Sequence, residues 1–239
     1  MTSSYQISIR KSILDFYKNN GIKKAEVFCY KLLESEIHKN NKDFRAKIHG
    51  EVCESFLECY LDYYITKHKL NDSWFYTKGM VVKDLDSENH HLTELDLTLF
   101  THARIVLFEC KSYAGDNTVI NECTLQRKNG SKFDVYKQQQ NHLSTLRTNV
   151  RSCYRGLGNG GFTIALFDLS LGNTIDKREL KWKTEMPLLN SKNLDKFLDK
   201  YRCGGCTWDI QRLRKIINII MGNNKKMREK HLKYVKSIR

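Results

Sequence analysis

TELDLTLFTHARIVLFECKSY, residues Thr93–Tyr113, reads as two β-strands joined by a tight turn. Glu94, Asp96 and Thr98 alternate with Leu95, Leu97 and Leu99, the period-two pattern of a half-buried strand. After the turn residues Thr101 to Ala103, the run Arg104 to Lys111 is nearly all apolar until Glu109, and Ile105, Leu107, Glu109 and Lys111 share one face. A two-residue loop at His102-Ala103, or a four-residue loop over Thr101 to Arg104, sets Asp96 directly across from Glu109. Cross-strand neighbours lie with Cβ atoms about 4.5–5.5 Å apart. Two carboxylates at that spacing repel unless a cation sits between them, and Mg²⁺ is held this way, by one or two carboxylates with waters and phosphate oxygens. Lys111 adds a fixed positive charge on the same face. The bland alternative is a solvated hairpin face with ordinary charges. Against it, Glu109 and Lys111 interrupt a strand otherwise apolar enough to be central, where charges are seldom buried without a partner.

Composition narrows the function classes. The 239 residues carry a formal net charge of +14, which favours a polyanionic partner, either nucleic acid or an anionic membrane surface. A hydrophobic content of 40% supports a packed core. No apolar run is long enough to span a bilayer, and the first twenty residues lack the apolar core of a signal peptide, so a cytoplasmic location is expected. The eight cysteines are scattered through apolar segments and are expected as buried thiols rather than disulfides.

Around the central hairpin, residues 5–40 read as two helices broken at Asn19-Asn20-Gly21, a helical hairpin rather than a DNA-reading helix-turn-helix. Asn40 to Asp43 reads as a linker, and Gly50 as the start of a helix running to about Tyr64. That helix is apolar around most of its circumference, with Val52, Phe56, Cys59, Tyr60 and Tyr63 on one arc and an acidic stripe of Glu51, Glu54 and Glu58. Glu51 and Glu58 are expected as a solvated edge, whereas Glu54, beside Leu57 and Leu61, reads equally as solvated or functional. Trp74 to Val82 reads as a strand, Asp84 to His91 as a polar loop, Thr118 to Leu125 as a strand, and Lys128-Asn129-Gly130 as a hairpin turn. A helix follows from about Val135 to Val150, on which Gln138, His142 and Leu146 recur at four-residue spacing. Gln138 is a candidate hydrogen-bond partner for a catalytic group or a phosphate. Arg147, Arg151 and Arg155 form a basic stripe at its end. The glycine-rich segment 156–161 precedes the strand Phe162 to Leu169 and lacks the Lys-Ser/Thr and following helix of a phosphate-binding loop. His90-His91 and the Cys203-Gly204-Gly205-Cys206 pair lack the further ligands of a structural zinc site. Helices are expected over Ser191 to Tyr201 and residues 209–222, followed by a basic tail from Lys225.

The order of these features resembles the nuclease-related domain, a branch of the PD-(D/E)xK nuclease superfamily. The matching residues are Gly50-Glu51-x-x-Glu54, Glu94-x-Asp96, Phe108-Glu109-Cys110-Lys111-Ser112 with Gly115, and Gln138-x-x-x-His142-x-x-x-Leu146. The resemblance covers about residues 46–202 and departs before Gln138, where the family often has Asn-Pro and this chain has Val135-Tyr136-Lys137. It implies an α/β (α+β) chain with a restriction-endonuclease-like mixed sheet flanked by helices. The expected divisions are a helical N-terminal extension over 1–45, the core over 46–205, and a basic helical C-terminal extension over 206–239. It also implies Mg²⁺-dependent phosphodiester hydrolysis, with Mn²⁺ as a substitute. Asp96, Glu109 and the backbone carbonyl of Cys110 would be metal ligands. Lys111 would act on the attacking water and the phosphate, Glu54 on the outer shell or on proton transfer, and Gln138 beside them. DNA is favoured over RNA as the partner, no membrane is expected, and a second copy is a candidate partner because cutting both strands commonly takes two active sites. The competing readings are a catalytically inactive nucleic-acid-binding module on the same fold and a basic protein that meets anionic membranes.

Overall fold

The computed structural model describes residues 4–37, 42–83, 92–153, 161–202 and 208–222. Helices α1 (Ser4–Asn20), α2 (Ile22–Ile37) and α3 (Lys42–Lys67) come first, with Gly21 at φ +80° making the break between the first two. Strands β1 (Trp74–Lys83), β2 (Leu92–Thr101) and β3 (Ile105–Lys111) follow as an antiparallel meander. Next come β4 (Asn117–Ile120), β5 (Thr124–Arg127), β6 (Lys132–Asp134), α4 (Val135–Cys153) and β7 (Phe162–Asp168). The chain continues through β8 (Thr174–Asp176), α5 (Leu180–Glu185), β9 (Leu188–Leu189), α6 (Leu194–Arg202) and a helix over 210–222, here α7.

The main sheet has the order β1-β2-β3-β7-β9, antiparallel on one side of β3 and parallel on the other. This is the mixed sheet flanked by helices that the resemblance implied. One face packs against α1, α2, α3 and α6 through Phe56, Leu57, Phe108, Phe167 and Phe197. The other packs against α4 and α7 through Leu107, Leu146, Ile164, Leu213 and Ile217. β3 lies between β2 and β7 and alternates cleanly: Val106, Phe108 and Cys110 enter the first core, while Ile105 and Leu107 enter the second. Helices α1 and α2 share one core with α3, and α3 itself runs across the 45/46 division.

The β2–β3 register is the one expected. Thr98 faces Leu107 and Leu97 faces Phe108, and the loop has two residues, closed by the Thr101 side chain. Its Oγ1 accepts from the Arg104 amide (2.8 Å) and the Ala103 amide (3.2 Å). Other expectations change. Helix α3 begins at Lys42 rather than Gly50, so Lys42-Asp43 is helical rather than linker. Ile48, Val52 and Phe56 recur every four residues and carry the helix through Gly50, whose interior position costs only about 1 kcal/mol. The strand expected over Thr118 to Leu125 is two strands, β4 and β5, turning at Asn121 with φ +52°. With β6 and β8 they form a second sheet of order β6-β5-β4-β8, whose first three strands lie between β3 and α4 and whose fourth follows β7. At its edge a Cβ on Gly172 would stand 2.3 Å from the Gly115 carbonyl carbon, so only glycine allows the two loops to meet there.

Glu51 and Glu58 are not a solvated edge: they are 7% and 6% exposed. Arg10 of α1 forks the Glu58 carboxylate at 2.9 and 2.6 Å, and Lys78 of β1 pairs with Glu51. The helical period placed the stripe correctly, but α1 and β1 cover it with cations. Cys29, Cys53, Cys59, Cys110 and Cys123 are buried free thiols, as expected. The His90-His91 pair, Arg155, residues 156–160, the Cys203–Cys206 pair and the tail from Lys225 lie outside the described residues.

Candidate active site

The site forms where β2 and β3 part. Their ladder ends at Leu97 opposite Phe108. One residue further, the Asp96 carboxylate, rather than a β2 backbone carbonyl, accepts the Cys110 amide at 2.9 Å. This satisfies a buried backbone donor and pins Asp96 beside the Glu109–Lys111 segment. Glu109 is 1% exposed. Its two carboxylate oxygens are separately held, Oε1 by the Lys111 ammonium and Oε2 by the Gln139 amide of α4. His142, one helical turn on, stands 3.2 Å from the Gln139 amide nitrogen and 3.9 Å from Glu109 Oε2. Glu54 approaches from α3, 3.6 Å from the Lys78 ammonium.

The electrostatics are those of crowded carboxyls. Burial, then the Glu109 charge, push the Asp96 carboxyl up to about 7, against the pull of the Cys110 amide. Burial, then Asp96, raise Glu54 to about 8, which Lys78 only partly offsets. For Lys111, burial works against the charge, yet Glu109 and Asp96 outweigh it and hold the ammonium above its ordinary pKa. Burial lowers His142, against the opposing pull of the Glu109 charge.

The expected residues are therefore distributed as follows. Glu54, Asp96, Glu109 and Lys111 stand together. Cys110 turns its thiol into the opposite core near Cys53, whose thiol donates to the Lys111 carbonyl at 3.3 Å, so only the Cys110 backbone faces the site. Gln138 is displaced by its neighbour: Gln139, 1% exposed, reaches Glu109, while Gln138 Oε1 is buried without a hydrogen-bond partner. Three consecutive glutamines hid the distinction. The signal that separates them is phase, because Gln139, His142, Leu143, Leu146 and Val150 recur on the packed side of α4 at spacings of three and four. Arg147 and Arg151 are not part of the cluster; Arg147 stacks over Phe162 at 5.3 Å.

Two clefts adjoin Lys111. One of about 510 Å³ lies between α3 and the second sheet and is lined by Arg45, His49, Gly50, Lys111, Arg127 and Asn129. His49, unmarked in the sequence, is 6% exposed, with Nδ1 3.5 Å from Ser112 Oγ. The other, about 340 Å³, is lined by Tyr113, Arg127, Lys132 and Phe133 around the same lysine. The Phe133 ring stands 4.9 Å from the Lys111 ammonium, and the Arg127 guanidinium lies 4.3 Å over Tyr113.

Among the described residues no group of three or more His, Cys, Asp or Glu side chains suited to holding a metal is present. Asp96, Glu109 and the Cys110 carbonyl make a smaller set of hard oxygen donors. A set of that size fits a magnesium-like ion, which keeps several waters and takes only one or two carboxylates. The mutual repulsion that raises Asp96 and Glu54 is what a bound cation would relieve. No helix of the described residues is long and apolar enough to cross a membrane.

Residues 49–164 match the family model described as nuclease-related domain (NERD). No curated protein matches the chain. Among solved structures, it is similar to the crystal structure of protein VC1899 from Vibrio cholerae, with 12% identity and a TM-score of 0.41. That alignment covers 84% of this chain and 52% of the other, so the chain spans about half its length.

Proposed function

We infer that this chain, whose residues 49–164 match the nuclease-related domain model, is a metal-dependent nuclease that hydrolyses phosphodiester bonds, with DNA as the favoured substrate. The observation that supports this best is the meeting of Asp96, Glu109 and Lys111 where β2 and β3 part, with Gln139 fixing the Glu109 carboxylate from behind. Mg²⁺, or Mn²⁺ in its place, would be held by Asp96, Glu109 and the Cys110 carbonyl, supplying charge to polarise the phosphate and to lower the pKa of the attacking water. Lys111 orients that water and opposes the negative charge that builds on the phosphate oxygens. Glu54, raised to about 8 in the metal-free chain, would exchange a proton with the water or the leaving oxygen. The charge of +14 and the arginines and lysines along both clefts favour approach of a phosphate backbone.

The test incubates the pure protein with plasmid, linear and single-stranded DNA in Mg²⁺, Mn²⁺ or EDTA. Cleavage is expected with either metal, and EDTA and Lys111→Ala should each abolish it while binding persists. Binding by wild-type protein without cutting under any condition overturns the enzyme and leaves the inactive binding module. Association with anionic vesicles but not with DNA leaves the membrane reading.

A further inference from the structure

The second sheet does more than prop the lysine. β6 is exposed along its whole length, and its middle residue, Phe133, is 43% exposed. Its ring lies over the Lys111 ammonium, so one wall of the approach to that lysine is a flat apolar surface. Across the same cleft Tyr113 is faced by Arg127, which gives a second ring with a cation already stacked on it. Lys132 sits beside them, and Arg45 and Asn129 continue the polar lining into the neighbouring cleft. The carboxylate nearest in sequence, Asp134, is engaged as the α4 cap through the Lys137 amide at 2.9 Å.

Aromatic faces interleaved with cations along a groove are how unpaired nucleic acid is held: cations follow the phosphates and bases stack on the rings. A duplex cannot use such faces, because its bases are already stacked on one another. On these grounds we propose that the β6-β5-β4-β8 sheet, together with Tyr113 just beyond β3, is a strand-holding wall. The rings of Phe133 and Tyr113 stack bases flanking the phosphate at Lys111, so that the substrate is an unpaired strand or an unpaired stretch within a duplex. This rests on reading the cleft as a nucleic-acid site, and it names the substrate form at that site.

The experiment measures fluorescence anisotropy of a labelled oligothymidylate of about 12 nucleotides against a hairpin duplex of matched length, a size within the range that such grooves cover. The full chain is used, with EDTA or Ca²⁺ present so that no turnover intervenes. Wild-type protein should prefer the single strand. Phe133→Ala should weaken single-strand binding by about 5- to 160-fold, the equivalent of the ~1–3 kcal/mol that one stacked base contributes, and leave duplex binding unchanged. Phe133→Trp should restore it, and because Phe133 is exposed, both variants should melt with the wild type. A loss under fivefold, an equal loss on the duplex, or failure of Trp to rescue overturns the proposal. Failure of the parent reading looks different: a chain that prefers single strands through Phe133 and never cuts removes the nuclease and leaves the wall, whereas one that cuts duplex and ignores Phe133→Ala does the reverse.

Discussion

Gln139→Ala isolates the contact that holds the site's most buried charge. Glu109 is 1% exposed, and one of its two oxygens depends on the Gln139 amide. A hydrogen bond to a charged group contributes about 1.5–3 kcal/mol, and a charged acceptor stripped of its donor keeps the full cost of burial. For a chain of this length that is a drop in Tm of about 3–12 °C. Part of the loss is returned, because Gln139 Oε1 is itself buried without a hydrogen-bond partner. The functional cost should be larger, about 10- to 100-fold in cation affinity and cleavage, as for other groups that orient a metal-binding carboxylate. Gln138→Ala is the internal control. It removes an amide whose oxygen is buried without a hydrogen bond, so it should leave cleavage within twofold and should not lower stability by more than about 0.5 kcal/mol. Mn²⁺ titration by calorimetry, plasmid cleavage rates and thermal unfolding of both variants give the three readouts. If Gln138→Ala proves the more damaging, or if Gln139→Ala leaves cation affinity and cleavage within twofold, the assignment of α4 to the site is wrong.

Two further outcomes follow from the charges. Glu54 rises from 4.5 to about 8 in the folded chain, so between those values the folded state keeps a proton that the unfolded state has released, and metal-free stability falls as pH rises. Glu54→Gln should flatten that slope and leave the variant more stable than the parent near pH 9, by on the order of a few kcal/mol; urea melts in EDTA at both ends of the window would show parallel curves if the argument fails. Arg178, 4% exposed, is held by the Asp176 carboxylate at 2.9 and 2.7 Å and donates to the Met186 carbonyl at 2.7 Å. Asp176→Asn strands that guanidinium and should cost about 3–5 kcal/mol in guanidinium melts, whereas a change under 1 kcal/mol would show the pair to be dispensable.

How far the residues alone reached depended on the kind of signal. The β2–β3 hairpin was legible because period-two alternation and a short loop determine register together, and a slip of one residue would turn Asp96 and Glu109 onto the wrong face. The second sheet was not, since strands of three or four residues show no period and take their order from the elements they meet. Gly50 misled because a glycine is a strong local breaker, while the four-residue spacing of Ile48, Val52 and Phe56 reports the tertiary packing that overrides it.

The acidic stripe of α3 shows why the site could be read while its neighbours could not. Periodicity gives the direction in which Glu51, Glu54 and Glu58 point, but their state depends on which cations other elements bring. Arg10, 48 residues before Glu58, and Lys78, 27 residues after Glu51, turn two of them into buried ion pairs. Glu54 has only a share of Lys78 at 3.6 Å, and burial, then the Asp96 charge, raise its carboxyl to about 8. The same helix thus uses two carboxylates to hold α1 and β1 in place, and on the proposed reading the third serves the chemistry, so removing Arg10 should cost stability while removing Glu54 should cost cleavage.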